Sequence, residues 1–150
     1  MITAIIKQVL SLSGCTFVVY DQQQLVNLYT DQSNQNDVIG VIFQQNTIML
    51  EVRANAIHEH YNPLMIDIAM QVDLEDSADI NEWKLQATLN ICKEIITRLI
   101  NMAEFKTITP VSVNRIFETK YDANVIGWSM ALDLYYLLNE NKYPCVSPAI

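Results

Sequence analysis

The sequence predicts an α+β fold: a two-layer antiparallel β-sheet with one long helix packed on a face, plus an N-terminal helix. Three observations predict it. Residues 48–54, 64–74 and 111–136 alternate apolar and polar side chains with a period of two, which gives a strand one buried and one wetter face. Residues 79–104 repeat their apolar positions at three and four, as an amphipathic helix does. The chain is 150 residues long and 51% hydrophobic, with three glycines and four prolines, so it is long enough for one core and too apolar for disorder.

The elements follow in order. Ile2, Ile5, Ile6, Val9 and Leu10 form the apolar stripe of a first helix over residues 2–12, and Gly14 supplies its stop. Residues 15–20 are β-branched and aromatic and read as a short strand. Residues 21–31 leave open a short helix carrying Leu25, Val26 and Leu28, and Asp31 to Asp37 is a polar loop. Val38 to Phe43 is an apolar strand. Along 48–54, Ile48, Leu50, Val52 and Ala54 share one face. The 55–63 connection, with His58, His60 and Pro63, reads as a loop. Along 64–74, Leu64, Ile66, Ile68, Met70, Val72 and Leu74 face inward while Met65, Asp67, Ala69, Gln71 and Asp73 face out.

The 79–104 helix opens on Asp79 and Glu82 in the manner of a capping box. Its stripe runs Leu85, Leu89, Cys92, Ile95, Ile96, Leu99 and Met102; Lys84 falls on its polar side, where Glu94 can pair with Arg98. A hairpin follows, with Val111, Val113, Phe117 and Tyr121 on one strand, a turn at Asp122-Ala123-Asn124, and Trp128, Met130, Leu132, Leu134 and Tyr136 on the other. Residues 1–138 thus make a single α+β domain. Residues 139–150, holding Pro144 and Pro148, make an extended C-terminal arm.

Composition narrows the function. Nine basic against 17 acidic side chains leave a net charge of −8, which argues against a surface that neutralises phosphates. Cys15, Cys92 and Cys145 are odd in number and form no C-x-x-C pair, so reduced thiols in a cytosolically folded protein are expected rather than disulfides or a thiolate zinc site. Residues 1–7 lack the pattern of a secretory signal, and no apolar run is long enough to span a bilayer.

Candidate chemistry is sparse. His58 and His60 would point the same way on a strand, as a metal requires, but a third ligand would have to be a distant carboxylate. The acidic run Asp73, Glu75, Asp76, Asp79 and Glu82 lacks the glycine a calcium loop needs and suits the positive end of a helix instead. No nucleophile elbow or glycine-rich phosphate loop is present. The expectation is no enzyme, no cofactor and no metal. Interface chemistry is the better fit: the neutral amides Asn34, Asn36, Gln44, Gln45 and Asn46, with Asp31, project from loops, and Tyr135 and Tyr143 lie near the last strand and arm. Solvated loops account equally for the amides.

The stretch from Val113 to Met130 (VNRIFETKYDANVIGWSM), preceded by the 79–104 helix, resembles the closing half of small tailed-bacteriophage neck and tail-completion proteins of the tail-terminator or head–tail joining type. The resemblance is one of layout and covers about a third of the chain. It implies a non-enzymatic virion subunit, folded in the bacterial host cytoplasm, that forms a hexameric or dodecameric homo-oligomeric ring against neighbouring neck and tail proteins. DNA would only pass through the channel, without sequence-specific binding, and no membrane would be involved. This chain departs from a channel lining rich in basic residues. A second reading, from a different class, is an acidic dimeric export or assembly chaperone that binds a client segment. A metal-dependent enzyme resting on His58 and His60 is a third.

Overall fold

The computed structural model describes residues 2–19, 36–43, 47–54, 56–73, 75–108, 111–120 and 123–137. Helix α1 (Ile2–Leu12) leads into β1 (Phe17–Val19), β2 (Val38–Ile42), β3 (Met49–Arg53) and β4 (Ala56–Gln71). Helix α2 (Ala78–Ile100) is followed by β5 (Phe105–Ile108), β6 (Ser112–Lys120) and β7 (Ala123–Tyr136). The expectations for residues 21–31, the Gln44–Asn46 tip and the 139–150 arm lie outside the described residues.

Helix α1 buries Ile2, Ile6, Val9 and Leu10, the spacing the sequence displayed. Gly14 ends it at φ 116°, and the Cys15 N–H donates to the Leu10 carbonyl at 3.1 Å, closing the turn that glycine adopts most readily. Ser77, two residues before the expected cap Asp79, begins α2: its side chain accepts from the Ile80 N–H, and Asp79 sits inside the first turn. Serine and aspartate cap about equally well, and with Ser77 in the cap position Asp79 is left to act on the helix dipole. The helix ends at Ile100, and β5, absent from the sequence reading, takes up the chain at Phe105.

Among the described residues, seven strands form one mixed sheet, mostly antiparallel, in which β1, β2, β4, β7 and β5 lie side by side; β3 pairs with β4 and β6 with β7. Of these strands, β1 and β2 are the pair that runs parallel. Strands β4 and β7 are its axis, paired from Glu59↔Tyr136 to Gln71↔Val125.

Both helices pack with the sheet into the larger core, which gathers Ile6, Leu10, Ile66, Ile68, Cys92, Ile95, Leu99 and Met130. The Trp128 indole N–H donates to the Leu85 carbonyl at 2.9 Å and ties β7 to α2. A smaller cluster of Val19, Ile39, Val41, Ala69, Ile116 and Val125 is a second core. Contrary to the expected wet face of 64–74, Asp67 and Ala69 are therefore buried too. The register sets Ile39, Ala69, Gly127 and Ile116 in one cross-strand row, and Val19, Val41 and Val125 gather with them into the second cluster. Small residues at the middle of that row let the larger flanking ones meet in one cluster.

Three more expectations are corrected. Residues 56–63 are strand, not loop: β4 continues through Asn62-Pro63, a cis peptide, with a register shift between Tyr61 and Leu64. A bulge leaves a ladder position unpaired, and proline can occupy it. Lys84 is buried rather than on a solvated face. In the last hairpin, Lys120 pairs with Ala123, which places Ala123 and Asn124 in β7 instead of the turn.

Candidate functional site

The corner built by β3, the first half of β4 and the end of β7 carries the least ordinary surface of the described residues. Its β3–β4 turn passes through Ala54 at φ 49°, and the register then pairs Met49 with His60, Leu50 with Glu59, Glu51 with His58 and Val52 with Ile57. Directly opposed residues in an antiparallel ladder share a face. One face therefore holds Met49, Glu51, His58 and His60, and the other Leu50, Val52, Ile57 and Glu59.

On the first face, His60 stacks on Tyr135 with ring centroids 4.0 Å apart, and its Nε2 lies 2.5 Å from Asp133 Oδ1. His58 shares the strand face, as its spacing required, and its Nδ1 is enclosed without a hydrogen-bond partner. Among the described residues, however, no three His, Cys, Asp or Glu side chains come together where a metal ion could sit. The arrangement orients an imidazole between a ring and a carboxylate. Close by, the Tyr61 hydroxyl donates to Glu59 Oε2.

The second face, apart from Glu59, is apolar and open. Ile48, Leu50, Val52 and Ile57 on it are 41%, 67%, 73% and 44% exposed, while Met49 on the first face is 61% exposed. Alternation gives β3 an apolar face of Ile48, Leu50 and Val52, yet nothing among the described residues packs over it. Alternation marks a strand as two-faced but does not say whether a layer lies above it, so no sequence signal separated this surface from the core.

The remaining candidate residues sit apart. Asn36 is exposed before β2, and Tyr135 is half-buried against His60. Asp31, Asn34, Gln44, Gln45, Asn46 and Tyr143 fall outside the described residues. Within the acidic run, the backbone N–H of Asp73 donates to Asp76 Oδ2 at 3.0 Å and that of Glu75 to Asp73 Oδ1 at 3.2 Å, so two of its carboxylates brace their own turn. Lys84 Nζ donates to the Gln71 carbonyl at 2.7 Å and lies 3.6 Å from Asp76 Oδ2, pinning the start of α2 to the end of β4. An open groove of about 520 Å³ runs between α1 and α2, lined by Val9, Leu12, Thr97 and Met102 and by the ion-paired Glu94 and Arg98, 3.1 Å apart.

Cys15 and Cys92 are buried free thiols, both pushed up to about 12 by desolvation. Neither is a nucleophile at neutral pH. No helix among the described residues is long and apolar enough to cross a membrane. No protein-family model matches the chain, and no curated protein matches it.

Proposed function

We propose that the chain is a non-enzymatic structural subunit of a tailed-bacteriophage virion, assembling into a homo-oligomeric ring at the head–tail connector or tail terminator. The observation that carries this reading is the open apolar face of β3 and β4. Contiguous exposed apolar surface on a folded domain is spent on partners. The helix-then-hairpin layout of residues 79–130 supports the choice of assembly, with a two-layer packing of helix on sheet as its finer architecture. In this reading the loop amides, Tyr135 and Tyr143 contact neighbouring subunits, and the His60–Asp133 contact is scaffolding for the corner.

Negative-stain images and mass photometry of the purified chain test the proposal. A ring with a central opening and six or twelve copies is the expected result. A stable monomer that is absent from virions refutes it.

The same apolar face, on a chain of net charge −8, also favours the acidic chaperone. Recovery of one specific client bound to two copies of the chain, with no ring, would decide for that second reading.

A further inference from the structure

From the edges of the sheet we infer that β3 is a pairing strand for a second copy of this chain, two-fold symmetric about Leu50. An unpaired edge presents a row of free backbone donors and acceptors, and folded proteins blunt such edges with charge or brevity. The other described edges are blunted. Strand β1 has three residues, β5 carries Lys106, and β6 carries Arg115, Glu118 and Lys120. On β3 the charge of Glu51 falls on one face, and the face of Ile48, Leu50 and Val52 carries none.

The register follows from charge and shape. Pairing about Glu51 would set two carboxylates opposite each other, which is unfavourable. Pairing about Leu50 sets Ile48 against Val52 of the second copy and Leu50 against its own mate, while Glu51 meets Met49. Six apolar side chains then form one strip, flanked by Ile57 from each copy. That strip also continues an existing core: Leu50 opposes Glu59, Glu59 opposes Tyr136, and Tyr136 opposes Phe105, the last two buried. The four exposed side chains of that face offer on the order of 400 Å² per copy, so the pair buries about 800 Å², the size of a weak, transient interface, to which the shared ladder adds its backbone hydrogen bonds.

This pairing goes beyond the ring reading and stands without it. A two-fold contact cannot close a ring; joined to a second, head-to-tail contact it would couple two rings back to back.

The test uses the full chain with Cys145→Ser as background, since Cys15 and Cys92 are buried. Leu50 lies on the two-fold axis, so Leu50→Cys should cross-link to itself under mild oxidation, whereas Val52→Cys should not. Leu50→Lys should halve the mass of the particle while leaving circular dichroism unchanged. A multimer whose mass survives Leu50→Lys, with Leu50→Cys uncross-linked, overturns the pairing and leaves the ring standing. Dimers that Leu50→Lys splits, with no larger ring, uphold the pairing and remove the ring reading. A wild-type monomer overturns both. If that monomer pairs only after deletion of residues 138–150, the face belongs to the chain's own tail and the proposal likewise falls.

Discussion

Gly127→Ala tests the closeness of β4 and β7 most directly. A Cβ at residue 127 would lie 2.0 Å from the Ile68 carbonyl oxygen and 2.8 Å from the Ala69 Cα. Both are backbone atoms of the neighbouring strand, so no side chain can swing aside. The two central strands must part by about 1 Å or more, and the ladder bonds flanking Ala69 stretch with them. Overpacking alone costs about 1–3 kcal/mol, and two weakened ladder bonds add about 0.5–1.5 kcal/mol each. The expected loss is thus on the order of 2–6 kcal/mol, a large share of the roughly 5–15 kcal/mol that stabilises a domain. Gly40→Ala is the control, because its Cβ would meet only the ends of side chains, Leu10 Cδ2 at 2.7 Å and Cys15 Sγ at 3.0 Å. Urea unfolding followed by far-ultraviolet circular dichroism reads both variants; with a slope of about 2 kcal/mol/M, the Gly127→Ala midpoint should fall by about 1–3 M. A loss below about 1 kcal/mol for Gly127→Ala, or one smaller than that of Gly40→Ala, would refute the argument.

Three other expectations follow from the same packing. Ser77→Ala removes the cap of α2 and should cost about 1 kcal/mol, more than Asp79→Ala, whose dipole interaction contributes about 0.3–1 kcal/mol; equal losses in urea would return the cap to Asp79. Lys84→Met keeps the buried stem but deletes the hydrogen bond to Gln71, and thermal and urea unfolding should show a loss of about 1–3 kcal/mol. The thiols give a pH dependence with a definite sign. Cys15 and Cys92 are pushed up to about 12 in the fold from 9.0. Between these values the unfolded chain releases thiol protons that the folded chain keeps, so stability falls as pH rises through that window and is unaffected below it. Urea midpoints at about pH 8 and pH 10.5 should diverge in the wild type and converge in Cys15→Ala/Cys92→Ala. In the Cys145→Ser chain, a disulfide reagent at about pH 8 should leave both thiols unmodified until urea is added.

Much of the local structure was readable in residue spacing. Ile2, Ile6, Val9 and Leu10 announced α1, and Leu85, Cys92, Ile95 and Leu99 announced the buried side of α2. Trp128 to Tyr136 announced β7, and Glu94 meets Arg98 as their separation required. What misled was punctuation. Pro63 reads as a loop signal in isolation, yet the register shift after Tyr61 accommodates it inside β4 and carries His58 and His60 onto the sheet. Lys84 reads as a solvated position until the end of β4 brings the Gln71 carbonyl beside it. Gly127 carries no signal in the sequence, and only its neighbours in β4 explain it. The candidate corner was half legible. The shared face of the histidines followed from their spacing, but Asp133 and Tyr135 reach His60 only across a β4–β7 ladder that joins residues more than seventy positions apart.

Periodicity is a local property, set by where each Cβ points along its own helix or strand, and so the chain by itself determined the kinds of element, their order and the faces they divide into. Coverage is not local. Whether an apolar face meets a helix, a neighbouring strand or water depends on strand order, and the tertiary arrangement alone decided that residues 66–70 of β4 are enclosed on both faces while Leu50 and Val52 of β3 are left open.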